Sequence, residues 1–232
     1  MHVNSVKQTH GDFATQLREF GAVGVAAIVL IMVTGNIVFP NMVAIPVGAV
    51  LVLIWARLSH TPWREIGYAR PRNWLVTIVG GILFGVAFKL LMKAIVMPLL
   101  GADPINHAYH FLAGNKSILP AAIIAMLVAG FGEETVFRGF LFERLEKLFG
   151  AGRASKIFVV LFTSLLFALS HYFSQGWTGV QQAAMTGLVF GTIFATTKNI
   201  WMVMIAHACF DLAALSIIYK NVESQIAHWI FK

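Results

Sequence analysis

Long apolar runs recur along the whole chain and constrain its fold more than any other feature. A helix needs about 20 mainly apolar residues to cross the hydrocarbon core of a membrane. Runs of this kind lie near residues 21–39, 42–57, 74–97, 118–140, 157–173, 180–197 and 200–219. Only 12% of the residues are charged, whereas about 25% is usual in a soluble domain. The sequence therefore predicts an all-α polytopic membrane protein, a bundle of about seven (six to eight) transmembrane helices.

The runs follow one another without a Pro- or Ser-rich linker, a low-complexity tract or an internal repeat. We therefore expect a single transmembrane domain over residues 21–220, with its motif-bearing core near 118–215. The preceding segment, 1–20, mixes charged and apolar residues, which favours a cytoplasmic segment lying at the membrane surface. Residues 221–232 are expected to form a short tail. The single cysteine, Cys209, lies inside an apolar run and is interpreted as inert core.

Basic residues collect in every second loop and predict the orientation of the bundle. The loops after the second, fourth and sixth runs contain Arg57, Arg64, Arg70, Arg72, Arg144, Lys147, Arg153, Lys156 and Lys198. The long 98–117 loop on the other side contains only Lys116. Because basic loops stay in the cytoplasm, we expect a cytoplasmic N-terminus in a protein of the cell (plasma) membrane. The net charge of +7 then reflects topology and attraction to anionic lipid, and no nucleic-acid partner is expected.

Ionisable residues inside these runs are the candidates for function. Such groups are expensive in a membrane and generally do chemistry or move ions. Three of the runs contain Glu133, Glu134, Arg138, His171, His207 and Asp211. The third run contains Lys89 and Lys93, which we expect to line a wet crevice or to pair locally, without an assigned role.

Spacing predicts that these side chains meet. Glu134 and Arg138 are four residues apart and suit a salt bridge on one helical face, while Glu133 faces about 100° away, toward a different partner. His207 and Asp211 also share a face. Glu133 precedes the expected turn near Gly152 by nineteen residues and His171 follows it by nineteen, so both reach a similar depth. We therefore expect one buried pocket that holds Glu133, His171, His207 and Asp211, closer to the cytoplasmic face.

A pocket of this composition supports peptide hydrolysis. A carboxylate in a site of low dielectric can act as a general base on water, and histidines can orient that water and stabilise an oxyanion. The chain has no His-Glu-x-x-His, no Gly-x-Ser-x-Gly and no pair of intramembrane aspartates. Two other classes stay open: a proton- or metal-coupled transporter, and a non-catalytic membrane immunity or scaffold protein.

Three motifs resemble the signature of the CPBP (Abi) family, which groups type II CAAX prenyl proteases with bacteriocin-processing and immunity proteins. They are Glu133-Glu134-x-x-x-Arg138, Phe167-x-x-x-His171 and His207-x-x-x-Asp211, within residues 118–215. The resemblance implies a membrane endopeptidase that opens toward the cytosol. It implies that Glu133 activates water with His171 as its partner, that His207 and residue 211 line the oxyanion side, and that Glu134 and Arg138 hold the motif helix in place.

One residue departs from this signature, because the third motif usually ends in asparagine and here ends in Asp211. An ionised carboxylate would repel an oxyanion. Asp211 is therefore protonated, or orients His207, or belongs to a metal site. By ligand type, Glu133, His171, His207 and Asp211 could form a Zn²⁺ shell, but we favour a metal-free glutamate mechanism without a cofactor. The expected substrate is a membrane-associated or lipid-modified protein or peptide.

Two further patterns have less functional weight. Gly187-x-x-x-Gly191 has the spacing that lets membrane helices pack closely, and a packing role is expected. His107 and His110 in the 98–117 loop are expected to be surface residues.

Overall fold

The computed structural model describes residues 12–34, 44–150 and 152–231, and these residues form nine helices and no strand. The helices are α1 Phe13–Arg18, α2 Ala22–Met32, α3 Ala44–Leu58, α4 Trp74–Leu99, α5 Leu119–Phe149, α6 Arg153–Ser170, α7 Tyr172–Thr197, α8 Ile200–Tyr219 and α9 Glu223–Ala227. The expected segment 1–20 falls partly on residues 1–11, and the first two predicted spans fall partly on residues 35–43; both ranges lie outside the described residues.

Each predicted membrane span overlaps one helix, and the prediction of an all-α polytopic membrane bundle is confirmed. Four helices, α4, α5, α6 and α8, are long and apolar enough to cross a membrane. The helices α2 and α3 are shorter apolar helices. The helix α7 has 26 residues but includes several glutamine and threonine side chains, and its backbone is interrupted at Gly176, where φ is +62°. Glycine suits that position because side chains rarely tolerate positive φ.

The helix α8 lies at the centre of the bundle and packs against α4 and α5. Glycines allow these close crossings. A Cβ atom added to Gly85 of α4 would lie 2.1 Å from the Ala206 carbonyl oxygen, and one added to Gly130 of α5 would lie 2.6 Å from the Ala208 backbone nitrogen. The backbone on both sides of His207 is therefore held by neighbouring helices, which fixes where the imidazole stands.

The helix α5 differs from the prediction in length and geometry. A π-helical stretch, Thr135–Leu141, follows the two glutamates directly, and the helix then continues to Phe149 rather than ending near residue 140. All seven residues of the π-helical stretch are buried. The predicted turn near Gly152 is confirmed, because α6 begins at Arg153 with Gly152 as its N-cap. The helices α5 and α6 thus form an antiparallel hairpin.

The predicted packing role of Gly187 and Gly191 is confirmed. A Cβ atom added to Gly187 would lie 3.1 Å from the Cα atom of Ser164, and one added to Gly191 would lie 3.4 Å from a methyl group of Val160. These contacts join α7 closely to α6.

The two ends of the bundle differ in composition. The end formed by residues 59–73, 143–156 and Lys198 is called the basic end below, and α1 is attached to it because Arg144 and Lys147 both donate to the carbonyl oxygen of Arg18. The opposite end, formed by residues 100–118, the α6–α7 junction and residues 220–231, is called the far end.

Candidate active site

His207 is the centre of a buried ionic cluster. Its Nδ1 atom lies 2.7 Å from Oε1 of Glu134, and Nη1 of Arg138 donates to the same oxygen at 2.9 Å. Arg138 also donates to the Gly187 carbonyl oxygen. All three side chains of the cluster are almost fully buried. The predicted Glu134–Arg138 salt bridge is therefore present, and it also holds the imidazole of His207.

The other ring nitrogen of His207 faces two carboxylates. Its Nε2 atom lies 3.7 Å from Oε2 of Glu133 and 3.6 Å from Oδ2 of Asp211. Glu133 and Glu134, although adjacent in sequence, thus contact opposite nitrogens of one imidazole. Because a carboxylate can only accept at Nδ1, that nitrogen donates its hydrogen to Glu134. The Nε2 atom then faces the carboxylate oxygens of Glu133 and Asp211, which are both hydrogen-bond acceptors.

His171 stands at the C-terminal end of α6, next to Phe167. Its Nδ1 atom lies 2.8 Å from the Phe167 carbonyl oxygen. Because a carbonyl can only accept, Nδ1 carries the hydrogen and the neutral ring has an acceptor at Nε2. The Phe167 ring contacts both histidines, with centroids 4.7 Å from His171 and 5.9 Å from His207. The Arg138 guanidinium lies over the same phenyl ring at 4.6 Å.

A cavity of about 430 Å³ joins these groups. Its lining includes Glu133, Phe167, His171, His207 and Asp211. Glu134 and Arg138 do not line it, since they lie behind His207. The structure thus brings all four candidate catalytic side chains to one cavity, and it separates them from the two residues expected to support the motif helix.

The position of the cavity corrects one expectation. The pocket was expected closer to the face with the basic loops, but the cavity extends from Glu133 and His207 toward the far end, where Asn106, Tyr109 and Ser174 line it. The reason is that the buried side chains of Phe137, Arg138 and Phe140 fill the side of Glu133 toward the basic end, whereas the 100–118 loop and the second half of α8 enclose open space on the other side.

Lys89, which was expected to line a wet crevice or to pair locally and had no assigned role, also lines the cavity. Its side chain is buried, its Nζ atom donates to Oε1 of Gln182 at 2.8 Å, and it lies 4.7 Å from the centroid of the Phe210 ring. The feature of the sequence that could have indicated a role for Lys89 is the presence of a lysine inside an apolar span. Lys93 pairs locally, with Glu223 at 3.6 Å and with the Pro104 carbonyl oxygen.

The 100–118 loop lies at the mouth of the cavity and is fastened to α9. The buried Glu223 accepts from the Asn106 backbone nitrogen at 2.9 Å and lies 3.2 Å from Nδ1 of His110. Burial raises the pKa of Tyr109 to about 12, and the Asp211 and Glu133 carboxylates add to this effect. The Tyr109 phenol therefore keeps its proton at neutral pH. His107 is exposed, as expected, and pairs with Asp103.

The donor atoms of the cavity do not form a ready metal site. Among the described residues, no group of three or more His, Cys, Asp or Glu side chains is arranged to hold a metal ion. His207 presents only Nε2 to the cavity, because Nδ1 is held by Glu134. The Phe167 ring packs against the rings of both His171 and His207. The four side chains predicted as a possible Zn²⁺ shell therefore line one cavity without forming a ready tetrahedral set.

Comparisons with known proteins identify the region that contains this site. Searches of curated proteins and of solved structures found no match. Residues 115–213 match the model of the family described as type II CAAX prenyl endopeptidase Rce1-like. This range includes all three motifs and nearly all of α5 through α8. The resemblance to the CPBP family is thereby confirmed for these residues, and the region of this membrane protein that holds the candidate active site is similar to that family of endopeptidases.

Proposed function

We propose that this protein is an intramembrane endopeptidase that hydrolyses a peptide bond of a membrane-associated or lipid-modified protein or peptide, with Glu133 as the general base. One observation supports this most strongly: the carboxylates of Glu133 and Asp211 both face Nε2 of His207 at the base of a cavity large enough for a peptide segment. The Rce1-like match supports a protease in general.

In the proposed reaction, Glu133 activates a water molecule held between its carboxylate and Nε2 of His171. The water oxygen attacks the carbonyl carbon of the substrate while its proton passes to Glu133. The C–N bond then breaks, and the same proton passes from Glu133 to the departing amine. A positioned general base of this kind contributes about 10²–10⁴-fold to the rate.

His207 and Asp211 are proposed to stabilise the oxyanion. An unprotonated Nε2 atom would present its lone pair to two carboxylates, which is electrostatically unfavourable. At least one proton is therefore shared among Nε2, Glu133 and Asp211. When this proton is on Nε2 or on Asp211, it can be donated in a hydrogen bond to the developing oxyanion. Asp211 would then donate the hydrogen bond that the asparagine amide donates in related motifs. Glu134 keeps the donor in place from behind.

Cleavage of a tagged peptide library by the purified protein in detergent, read by mass spectrometry, tests the proposal. Wild type should cleave, and Glu133→Gln should lose at least 10²-fold in rate. The matched control is Glu146→Gln, the same change on the same helix about 20 Å away, where Glu146 pairs with Lys198 at the basic end. Equal loss in both variants, or cleavage by Glu133→Gln at the wild-type rate, would contradict a role for Glu133 as base.

Two further arms of this experiment separate the alternatives. Cleavage that a chelator abolishes and Zn²⁺ restores would replace the metal-free mechanism with a metal site. If the wild type does not cleave but the Asp211→Asn variant does, the natural protein is a non-catalytic member of the fold, such as an immunity or scaffold protein. Proton or metal flux that is lost in Glu133→Gln, without any cleavage by wild type, would indicate a transporter.

A further inference from the structure

We propose that the catalytic cavity opens to the extracytoplasmic side of the membrane, so that the substrate is an exported peptide or an extracytoplasmic segment of a membrane protein. That the occupant of the cavity is a substrate rests on the proposed function, whereas the direction of the opening does not depend on it. Two independent features of the molecule support this direction: the position of the cavity along the helices, and the distribution of basic side chains between the two ends.

The lining residues show which way the cavity extends. On α5, every lining residue lies between the helix start and Glu133; these residues are Ala125, Met126, Val128, Ala129 and Glu133. On α8, every lining residue lies between His207 and the end of the helix; these are His207, Phe210, Asp211, Ala214, Leu215 and Ile218. The start of α5 and the end of α8 both belong to the far end. The cavity therefore runs from the middle of the bundle to the far end.

Loop residues at the far end complete the mouth. Asn106, Tyr109 and Leu112 of the 100–118 loop line the cavity, as do Ser174 and Gln175 next to the α6–α7 junction. No lining residue comes from 59–73, 135–150 or 152–156, the described segments nearest the basic end.

Dense packing closes the path from the site to the basic end. Directly beyond Glu134 on α5, the side chains of Phe137, Arg138 and Phe140 are at most 1% exposed. Farther along, Phe142 packs edge-on against Phe194 with centroids 5.2 Å apart. A polypeptide could enter from the basic end only if this core were opened, and opening a packed core forfeits its contacts.

Basic residues place the basic end in the cytoplasm. Among the described residues, ten Lys and Arg residues belong to α1 and to the basic end with the α3 terminus that leads into it: Arg18, Arg57, Arg64, Arg70, Arg72, Arg144, Lys147, Arg153, Lys156 and Lys198. In the described loops of the far end, the basic residues are Lys116 and Lys220. Since short cytoplasmic loops carry the excess of Lys and Arg, the far end lies outside the cytoplasm.

These two observations narrow the chemistry of the substrate. A prenylated protein in the cytosol would have to pass through the bundle to reach Glu133, whereas a peptide on the outer side meets the mouth directly. The cavity walls combine apolar side chains such as Val128 and Leu215 with the buried Lys89 cation. We therefore infer an exported, mainly apolar peptide segment as the substrate.

Cysteine labelling tests the direction without requiring activity. In a Cys209→Ser background, Ser174→Cys places a thiol at the mouth and Arg70→Cys places one at the basic end; both native side chains are exposed. A membrane-impermeant maleimide should label Ser174→Cys in right-side-out spheroplasts and Arg70→Cys only in inverted vesicles. Labelling of Ser174→Cys in inverted vesicles, alone or in addition, would overturn the proposal.

Activity is measured separately, so that the two proposals can fail separately. The labelling pattern should be unchanged by Glu133→Gln, since this side chain plays no part in topology. The tagged peptide library, added outside, should be cleaved by spheroplasts and not by inverted vesicles. Cleavage only by inverted vesicles would overturn the outward opening. The expected labelling with no cleavage by either preparation would leave the topology standing and contradict the peptidase.

Discussion

At the scale of single residues, His207 divides the roles of two adjacent glutamates. Glu134 contacts Nδ1 from the buried side, together with Arg138, while Glu133 contacts the edge of the ring that faces the cavity. A tightly paired carboxylate that does not reach the cavity is suited to positioning. A carboxylate on the cavity wall is suited to proton transfer. This difference leads to separate predictions for the two residues.

Replacing Glu134 by Gln should chiefly destabilise the fold. The change removes a charge from a fully buried pair and leaves Arg138 uncompensated, which typically costs about 3–5 kcal/mol. Thermal unfolding in detergent should show a clear fall in Tm. Glu146→Gln, which alters the partly exposed pair with Lys198, is the control and should cost about 0–1 kcal/mol. A Tm for Glu134→Gln equal to that of the control would refute the positioning role.

Asp211 should tolerate asparagine but not leucine. An asparagine amide can donate a hydrogen bond to the oxyanion, so Asp211→Asn should keep the cleavage rate within about tenfold of wild type, whereas Asp211→Leu should lose about 10²–10³-fold. Cleavage kinetics of the purified variants measure this difference. A leucine variant as active as the asparagine variant would show that residue 211 does not stabilise the transition state.

At the scale of helices, the site depends on close crossings that the sequence predicted only in part. The Gly187-x-x-x-Gly191 spacing correctly indicated packing of α7 on α6. The isolated Gly85 and Gly130, which let α4 and α5 approach α8 beside His207, belong to no such repeat and were not singled out. The π-helical stretch of α5 also escaped prediction, because hydrophobic periodicity over seven buried residues does not reveal a change from α to π geometry.

Two glycines of α4 should respond oppositely to alanine. A Cβ atom at Gly85 would lie 2.1 Å from the Ala206 carbonyl oxygen, so Gly85→Ala must push α4 and α8 apart, at a cost of about 1–3 kcal/mol. A Cβ atom added to Gly80 would lie 3.9 Å from the methyl carbon of Met202, an ordinary contact distance, so Gly80→Ala should be neutral or stabilising by up to about 1 kcal/mol. Thermal unfolding of both variants measures the contrast. Equal Tm values would contradict the close crossing.

The contact between α9 and the 100–118 loop should hold the mouth of the cavity in place. Glu223→Gln removes the negative charge that faces Lys93 and His110, so amide hydrogen exchange in the loop should become faster. Asp103→Asn, which affects the exposed pair with His107 and a local turn but removes no direct contact of Glu223, is the control and should leave exchange near Tyr109 unchanged. Unchanged exchange in Glu223→Gln would show that other contacts hold the loop.

At the scale of the whole molecule, the sequence predicted the membrane bundle and the motif residues better than the shape of the site. Apolar runs and four-residue spacings follow local helical rules, so the spans, the α5–α6 hairpin and the Glu134–Arg138 pair could be predicted. The direction in which the cavity extends depends on which side chains of α5 and α8 face each other and on where the 100–118 loop packs. Those are tertiary properties, and for that reason the expectation of a pocket closer to the basic loops was wrong. The roles of the site residues remain predictions.

The central claim, that Glu133 performs the chemical step, is tested most directly by a single-turnover rate. The rate of cleavage of one library peptide would be measured with enzyme in excess over peptide, for wild type and for Glu133→Gln. Peptide binding and Tm would be measured on the same preparations. The account predicts a rate about 10²–10⁴-fold lower in the variant, with binding and Tm nearly unchanged. A single-turnover rate within a few-fold of wild type would contradict it, and the base would then have to be sought elsewhere in the cavity.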